Sequence, residues 1–114
     1  MLPFVHRMRK PQDFQRTRRT GRKFVSAGLI IHISQGIFGS DPARVGITVG
    51  KDCGNSVARH RISRRIRGAV QPLIGELPNG SAMVIKALPS CDEQFDIHAA
   101  LSEAITKTTS GGSR

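Results

Sequence analysis

The chain has 114 residues, a length that supports one hydrophobic core and not two. Its 38% hydrophobic content is enough to fold it, with five Phe and neither Trp nor Tyr as aromatic material. A formal charge of +10 and a pI near 11.3 point to a polyanionic partner, nucleic acid before an anionic membrane, and no apolar run is long enough to span a bilayer.

The charge is unevenly placed: residues 1–67 hold fifteen Lys and Arg against three acids, whereas residues 76–114 hold three against five. The basic surface therefore belongs to the first two-thirds, and the last third is scaffold. The opening "MLPFVHRMRK" is basic and acid-poor like a transit peptide, but it lacks the apolar centre of a signal peptide and runs on into folded pattern. The chain is expected to be cytoplasmic and complete, a single domain over 1–114 with flexible ends at 1–8 and 109–114.

In chain order, "PQDFQRTRRT" at 11–20 suits a short helix opened by Pro11 and closed by Gly21. Residues 23–35 read as extended, with a bend at Ser26–Gly28 that can split them into two strands. "QGIFGSDP" at 35–42 is a turn region, and "RVGITVG" at 44–50 a further strand. Helical periodicity runs from about Asn55 to Ile74, "PNGS" breaks it, "AMVIKAL" at 82–88 is a strand, and a last helix covers roughly 93–108. Ser90 and Glu93 have capping-box spacing ahead of that helix, and "SGGSR" is expected to fray.

Neighbouring strand residues point to opposite faces. Leu29, Ile31 and Ile33 therefore share a core face with Val45, Ile47, Val49, Met83 and Ile85. The other face carries Gly28, Ile30, His32 and Ser34, then Gly46, Thr48 and Gly50, then Val84 and Lys86. Periodicity fits two pictures of that face equally: a shallow trough for an extended nucleic-acid strand, or a sheet half-exposed to water.

The densest charge is "GNSVARHRISRRIR" at 54–67, with five arginines and a histidine between Arg59 and Arg67. On a helix, Ala58, Ile62, Ile66, Ala69 and Leu73 form one apolar stripe, with His60, Arg61, Arg64 and Arg67 away from it and Arg59 and Arg65 flanking it. A solvated charged face usually mixes in acids at i,i+4, yet none lies between Asp52 and Glu76. Arginine also favours phosphate, because its planar fork donates paired hydrogen bonds. Gly54 suits a tight turn before the helix, with Asn55 or Ser56 as its cap. This is not a nucleotide-binding P-loop, since the two glycines have only three residues between them and no Lys-Ser/Thr follows the second. His6, His32, His60 and His98 are scattered, and the run Asp92, Glu93 and Asp96 suits a helix cap better than a metal. Cys53 and Cys91 have no ligand spacing and are expected to be reduced thiols.

The segment "VGITVGKDCGNSVARHRISRRIRGAV" resembles the signature of the bacterial ribonuclease P protein subunit, with Gly54, Asn55, Val57, Arg59, Arg61, Arg64 and Arg67 at matching positions. "DFQRTRRTGRKF", with Phe14, resembles the family's first helix, and "MVIKALP" its later strand. Asp52, His60, Ser63 and Arg18 depart from the pattern, and Arg65 is the residue expected to compensate for Ser63. The resemblance implies an α+β fold, a single α-β-β-β-α-β-α sandwich with a left-handed βαβ crossover, opposite to the general rule. It implies a protein with no active site of its own, joined to a catalytic RNA that removes the 5′ leader of precursor transfer RNA with Mg²⁺ held mainly by RNA.

On that basis Asn55, Arg59, His60, Arg61, Arg64, Arg65 and Arg67 are expected to bind the catalytic RNA. Phe14, Arg18, His32, Thr48, Lys51 and Lys86 are expected to bind the leader, although Phe14 also suits a core position. Precursor transfer RNA and the catalytic RNA are the expected partners, with no membrane and no protein partner required. A ribosomal or assembly protein would use the same basic helix. A helix-turn-helix DNA binder would need a second helix where a strand is expected, and a protein-only nuclease would need carboxylates beside the arginines.

Overall fold

A computed structural model describes residues 6–26, 28–91 and 95–112, with side chains to 108. Helix α1 spans Pro11–Thr20, and Gly21 ends it with its N–H donating to Thr17 O at 2.8 Å. Strands β1 (Arg22–Val25) and β2 (Leu29–Ser34) form an antiparallel hairpin in which Lys23 faces His32 and Val25 faces Ile30. Strand β3 (Arg44–Val49) leads through a single 3-10 turn into α2 (Ser56–Val70), and β4 (Ala82–Ala87) and α3 (Ile97–Gly112) complete the chain. The sheet order is β1-β2-β4-β3. β4 pairs antiparallel with β2 and parallel with β3. Parallel neighbours cannot be joined by a hairpin, so α2 is the crossover that returns the chain to the sheet.

One sheet face carries the main core. Leu29, Ile31, Ile33, Val45, Met83 and Ile85 are buried on it, as their alternation predicts, under Ile66, Val70 and Leu73 from the crossover and Leu101 and Ile105 from α3. Arg22 extends from the sheet edge to donate to Lys107 O at 3.3 Å, and its guanidinium stands 5.2 Å from the Phe24 ring centre.

Several expectations need correction. Helix α2 stops at Val70 and continues as 3-10 turns over Gln71–Glu76. Pro72 causes this, because it has no N–H to donate and its ring crowds the carbonyl four residues back. Ile66 is fully buried but Ile62 only partly, so the stripe is centred on Ile66, Val70 and Leu73. The last helix starts at Ile97, with Asp96 Oδ1 accepting from Ala99 N at 2.9 Å as its cap. Asp92 and Glu93 lie outside the described residues, and the helix continues to Gly112, into the first residues of the segment expected to fray, whose last two lie outside the described ones.

The segment 1–8, expected to be flexible, docks from His6 to Met8 along the outer edge of β3. Arg7 bridges Val45 in parallel, Met8 N donates to Val45 O at 2.9 Å, and Met8 is 6% exposed. Residues 1–5 lie outside the described ones. Gly28 packs against Phe95 and Cys91 on the core side, and so leaves the opposite face to which alternation assigned it. Both cysteines are free thiols. Among the described residues, no helix is long and apolar enough to cross a membrane.

Candidate RNA interface

The crossover helix presents its arginines as the spacing predicts, but not all of them to solvent. Gly54 has φ 121, a backbone only glycine adopts without strain, and it turns the chain so that Asn55 caps α2, its Oδ1 accepting from Ala58 N at 2.9 Å. The oxygen of Asn55 is thus spent on the helix, and only its NH₂ donors suit a phosphate. His60, Arg61 and Arg64 are exposed and, with Ser56, Val57 and Arg65, line a shallow hollow of about 730 Å³. Val57 is 65% exposed within it, an apolar surface among guanidinium groups.

The other arginines are half-buried. Arg59 lies over the β3 side, lining a groove with Ile47, Val49 and Ser63, and its Nε is buried with no hydrogen-bond partner. Arg67 Nη2 donates to Ser63 Oγ at 2.8 Å. Arg65 Nη2 donates to Phe95 O at 3.0 Å, which ties α2 to the entry of α3. Arg65 therefore reaches the flank opposite Ser63. No carboxylate belongs to α2, and burial, then the charge and hydrogen bond of nearby Asp52, push the Cys53 thiol pKa up.

The second expected site is half filled. Phe14, from α1, lies on Gly46, where a Cβ would stand 2.5 Å from its Cζ, and it packs with Met8, Ala82, Val84, Ile37 and Phe38 into a small second core. Helix α1 thus covers one end of the face taken above as open. Thr20 and Ser34 hydroxyls close that end at 3.0 Å. What stays open is a cross-strand row, Val25, Ile30, Lys86 and Thr48, with Lys23 and His32 beside it. Arg18 overhangs it from α1, its Nη2 3.5 Å from Thr48 Oγ1 and its guanidinium 5.9 Å from the Phe14 ring centre. Lys51 stands past the end of β3 on the 3-10 turn. His32 is held below its ordinary pKa by burial, then by Lys23 and Arg18. Its Nδ1 is buried with no partner. Lys23 was missed from the sequence; alternation puts it on this face only once the hairpin register pairs it with His32.

The structure thus gathers Arg18, His32, Thr48 and Lys86 on one patch and Asn55, Arg59, His60, Arg61, Arg64 and Arg67 around another. Arg65 lines the α2 hollow while also bonding Phe95 O, and Phe14 packs into the second core. The donors do not suit a protein-held Mg²⁺: a hard dication wants several oxygens, whereas these surfaces offer ammonium and guanidinium groups. No three His, Cys, Asp or Glu side chains among the described residues gather into a metal-holding group.

The fold and its two cationic surfaces define a small basic α+β protein with a four-stranded mixed sheet and three helices. A family model described as Ribonuclease P matches residues 2–108. The ribonuclease P protein component of Mycobacterium sp. (strain KMS) is 36% identical over 109 residues, covering 94% of this chain and 92% of its own. That of Mycobacteroides abscessus is 42% identical over 95 residues, covering 79% and 75%. Among solved structures, the Staphylococcus aureus RNase P protein superposes with TM-score 0.75 at 24% identity, covering 91% of this chain and 94% of its own. The Thermotoga maritima protein gives 0.73 at 20%, covering 89% and 96%. This chain belongs to the bacterial ribonuclease P protein family, and with that goes a role in transfer-RNA processing.

Proposed function

We propose that the chain binds the catalytic RNA of ribonuclease P through α2 and the 5′ leader of precursor transfer RNA through the open half of its sheet face. The observation that carries this is the acid-free solvent face of the crossover helix, with His60, Arg61 and Arg64 exposed together. Phosphates neutralise the positive charge concentrated on this helix, and each one bound releases condensed counterions. A leader is single-stranded, so its bases are free to lie on Ile30, Val25 and the edge of His32 while Lys86, Lys23 and Arg18 meet its backbone.

Catalysis and the Mg²⁺ that supports it belong to the RNA, and the protein supplies binding. The crossover through α2 takes the left-handed sense of the family, and free thiols at Cys53 and Cys91 suit a reducing cytoplasm. The test is the salt dependence of binding to the cognate catalytic RNA. Arg61→Ala with Arg64→Ala should lower the log–log slope by about 1.4–1.8, whereas Lys107→Ala, whose partner is Glu103 at 2.8 Å, should leave it unchanged. An unchanged slope for the arginine pair would remove the helix from the interface.

A further inference from the structure

We propose that Arg7 and Arg9, with Arg67, form a further phosphate-binding groove that holds the backbone of the same RNA seated on α2; this rests on the α2 interface proposed above. The inference starts from the edge of β3. Because Arg7 bridges Val45, the segment 7–9 behaves as a short fifth strand, and alternation divides its side chains. Met8 goes to the α1 side, buried with Ala82 and Val84. Arg7 and Arg9 go to the other side and are exposed where β3 faces α2. There they line a groove of about 370 Å³ with Arg67 and Ser63, floored by Val45 and Ile47.

The shape and charge fit a phosphodiester. Three guanidinium groups and a hydroxyl surround the groove, and none of its lining residues is acidic. Arg67 is already oriented by its 2.8 Å bond to Ser63 Oγ, so it meets a phosphate with part of its side-chain entropy already lost. The hollow on the far side of Arg7 and Arg9 is the poorer seat, since Asp13 and Asp41 share it with Lys10 and Arg44. The groove adjoins the one lined by Arg59, with Ile47 and Ser63 common to both, so a strand held on α2 runs into it without a break. Docking of the N-terminal segment therefore widens the arginine face from one helix to a helix and a strand edge.

The experiment measures binding of full-length protein to the cognate catalytic RNA across a KCl series, and binding of leader-bearing precursor transfer RNA to the assembled holoenzyme. For catalytic RNA, Arg7→Ala with Arg9→Ala should lower the log–log slope by about 1.4–1.8, and Arg7→Lys with Arg9→Lys should restore most of it. Met8 keeps its backbone bond to Val45 in both variants, and the lysine pair tests charge separately from folding. An unchanged slope overturns the groove, as does a loss seen with precursor transfer RNA alone, which would assign these arginines to the substrate. If Arg61→Ala with Arg64→Ala lowers the slope and the 7/9 pair does not, only the groove fails. If neither does, the α2 interface fails with it.

Discussion

Arg64 and Arg65 are neighbours in the sequence and have different duties, because 100° of helix rotation sends one to solvent and the other to Phe95 O. Arg64→Ala should weaken RNA binding with little change in folding. Arg65→Ala should cost about 1 kcal/mol of stability by leaving that carbonyl without its donor, with a smaller loss of RNA affinity. Urea midpoints and RNA titrations on both variants check the split, and equal stability would mean that Arg65 is not holding α3. His32 offers a pH test. Its folded pKa lies below its unfolded one, so between the two the unfolded chain binds more protons and stability rises with pH. Stability should therefore fall as pH drops below the ordinary imidazole value of about 6.5, and His32→Gln should flatten part of that fall. A thermal-midpoint series from pH 7.5 to 5.5 shows whether the slope survives the substitution; if it does, His32 is not its source. The exposure of Arg64 was legible from spacing; the bond of Arg65 to Phe95 O was not, since that partner lies thirty residues away.

At the scale of elements, the binary pattern was legible wherever a period had room to repeat. The three strand cores and the buried stripe of α2 follow from alternation and from 3.6-residue spacing. The ends did not, because they depend on single residues: Pro72 halts α2, and Asp96 caps α3. The phase of the α2 stripe was set slightly wrong, and energetics should show it. Ile66→Ala should cost about 2–5 kcal/mol, as for a fully buried aliphatic, and Ile62→Ala clearly less. Equal losses in denaturant would return the stripe to its sequence-based centre. Gly46 is the other sensitive point. A methyl there would meet the Phe14 ring, so Gly46→Ala should cost about 1–3 kcal/mol, read from the same denaturation midpoints, and loosen α1 from the sheet. Wild-type stability would show that the ring has room to move aside.

For the whole molecule, topology was the least legible property. Periodicity identifies strands but not their neighbours, so the placing of β4 between β2 and β3 came only with the structure. That placing brings Lys86 of β4 between Ile30 and Thr48 and so assembles the patch proposed for the leader. The second face was expected to be open, as a trough or as a half-exposed sheet; α1 and Met8 cover part of it, because apolar Val84 and Ala82 need cover. The remaining half predicts that His32→Ala with Lys86→Ala weakens holoenzyme binding of leader-bearing transfer RNA and spares mature transfer RNA. Equal losses for both substrates would remove the patch from leader binding. The proposal that this chain binds for an RNA that cleaves is tested most directly by one reconstitution. Precursor transfer RNA is incubated with Mg²⁺ and protein alone, catalytic RNA alone, or both, using protein rigorously freed of RNA. The expected result is no cleavage by the protein at any Mg²⁺ concentration, and faster 5′ cleavage at lower Mg²⁺ with both components than with RNA alone. Accurate 5′ cleavage by the protein alone, or no effect of the protein on the RNA, would contradict it.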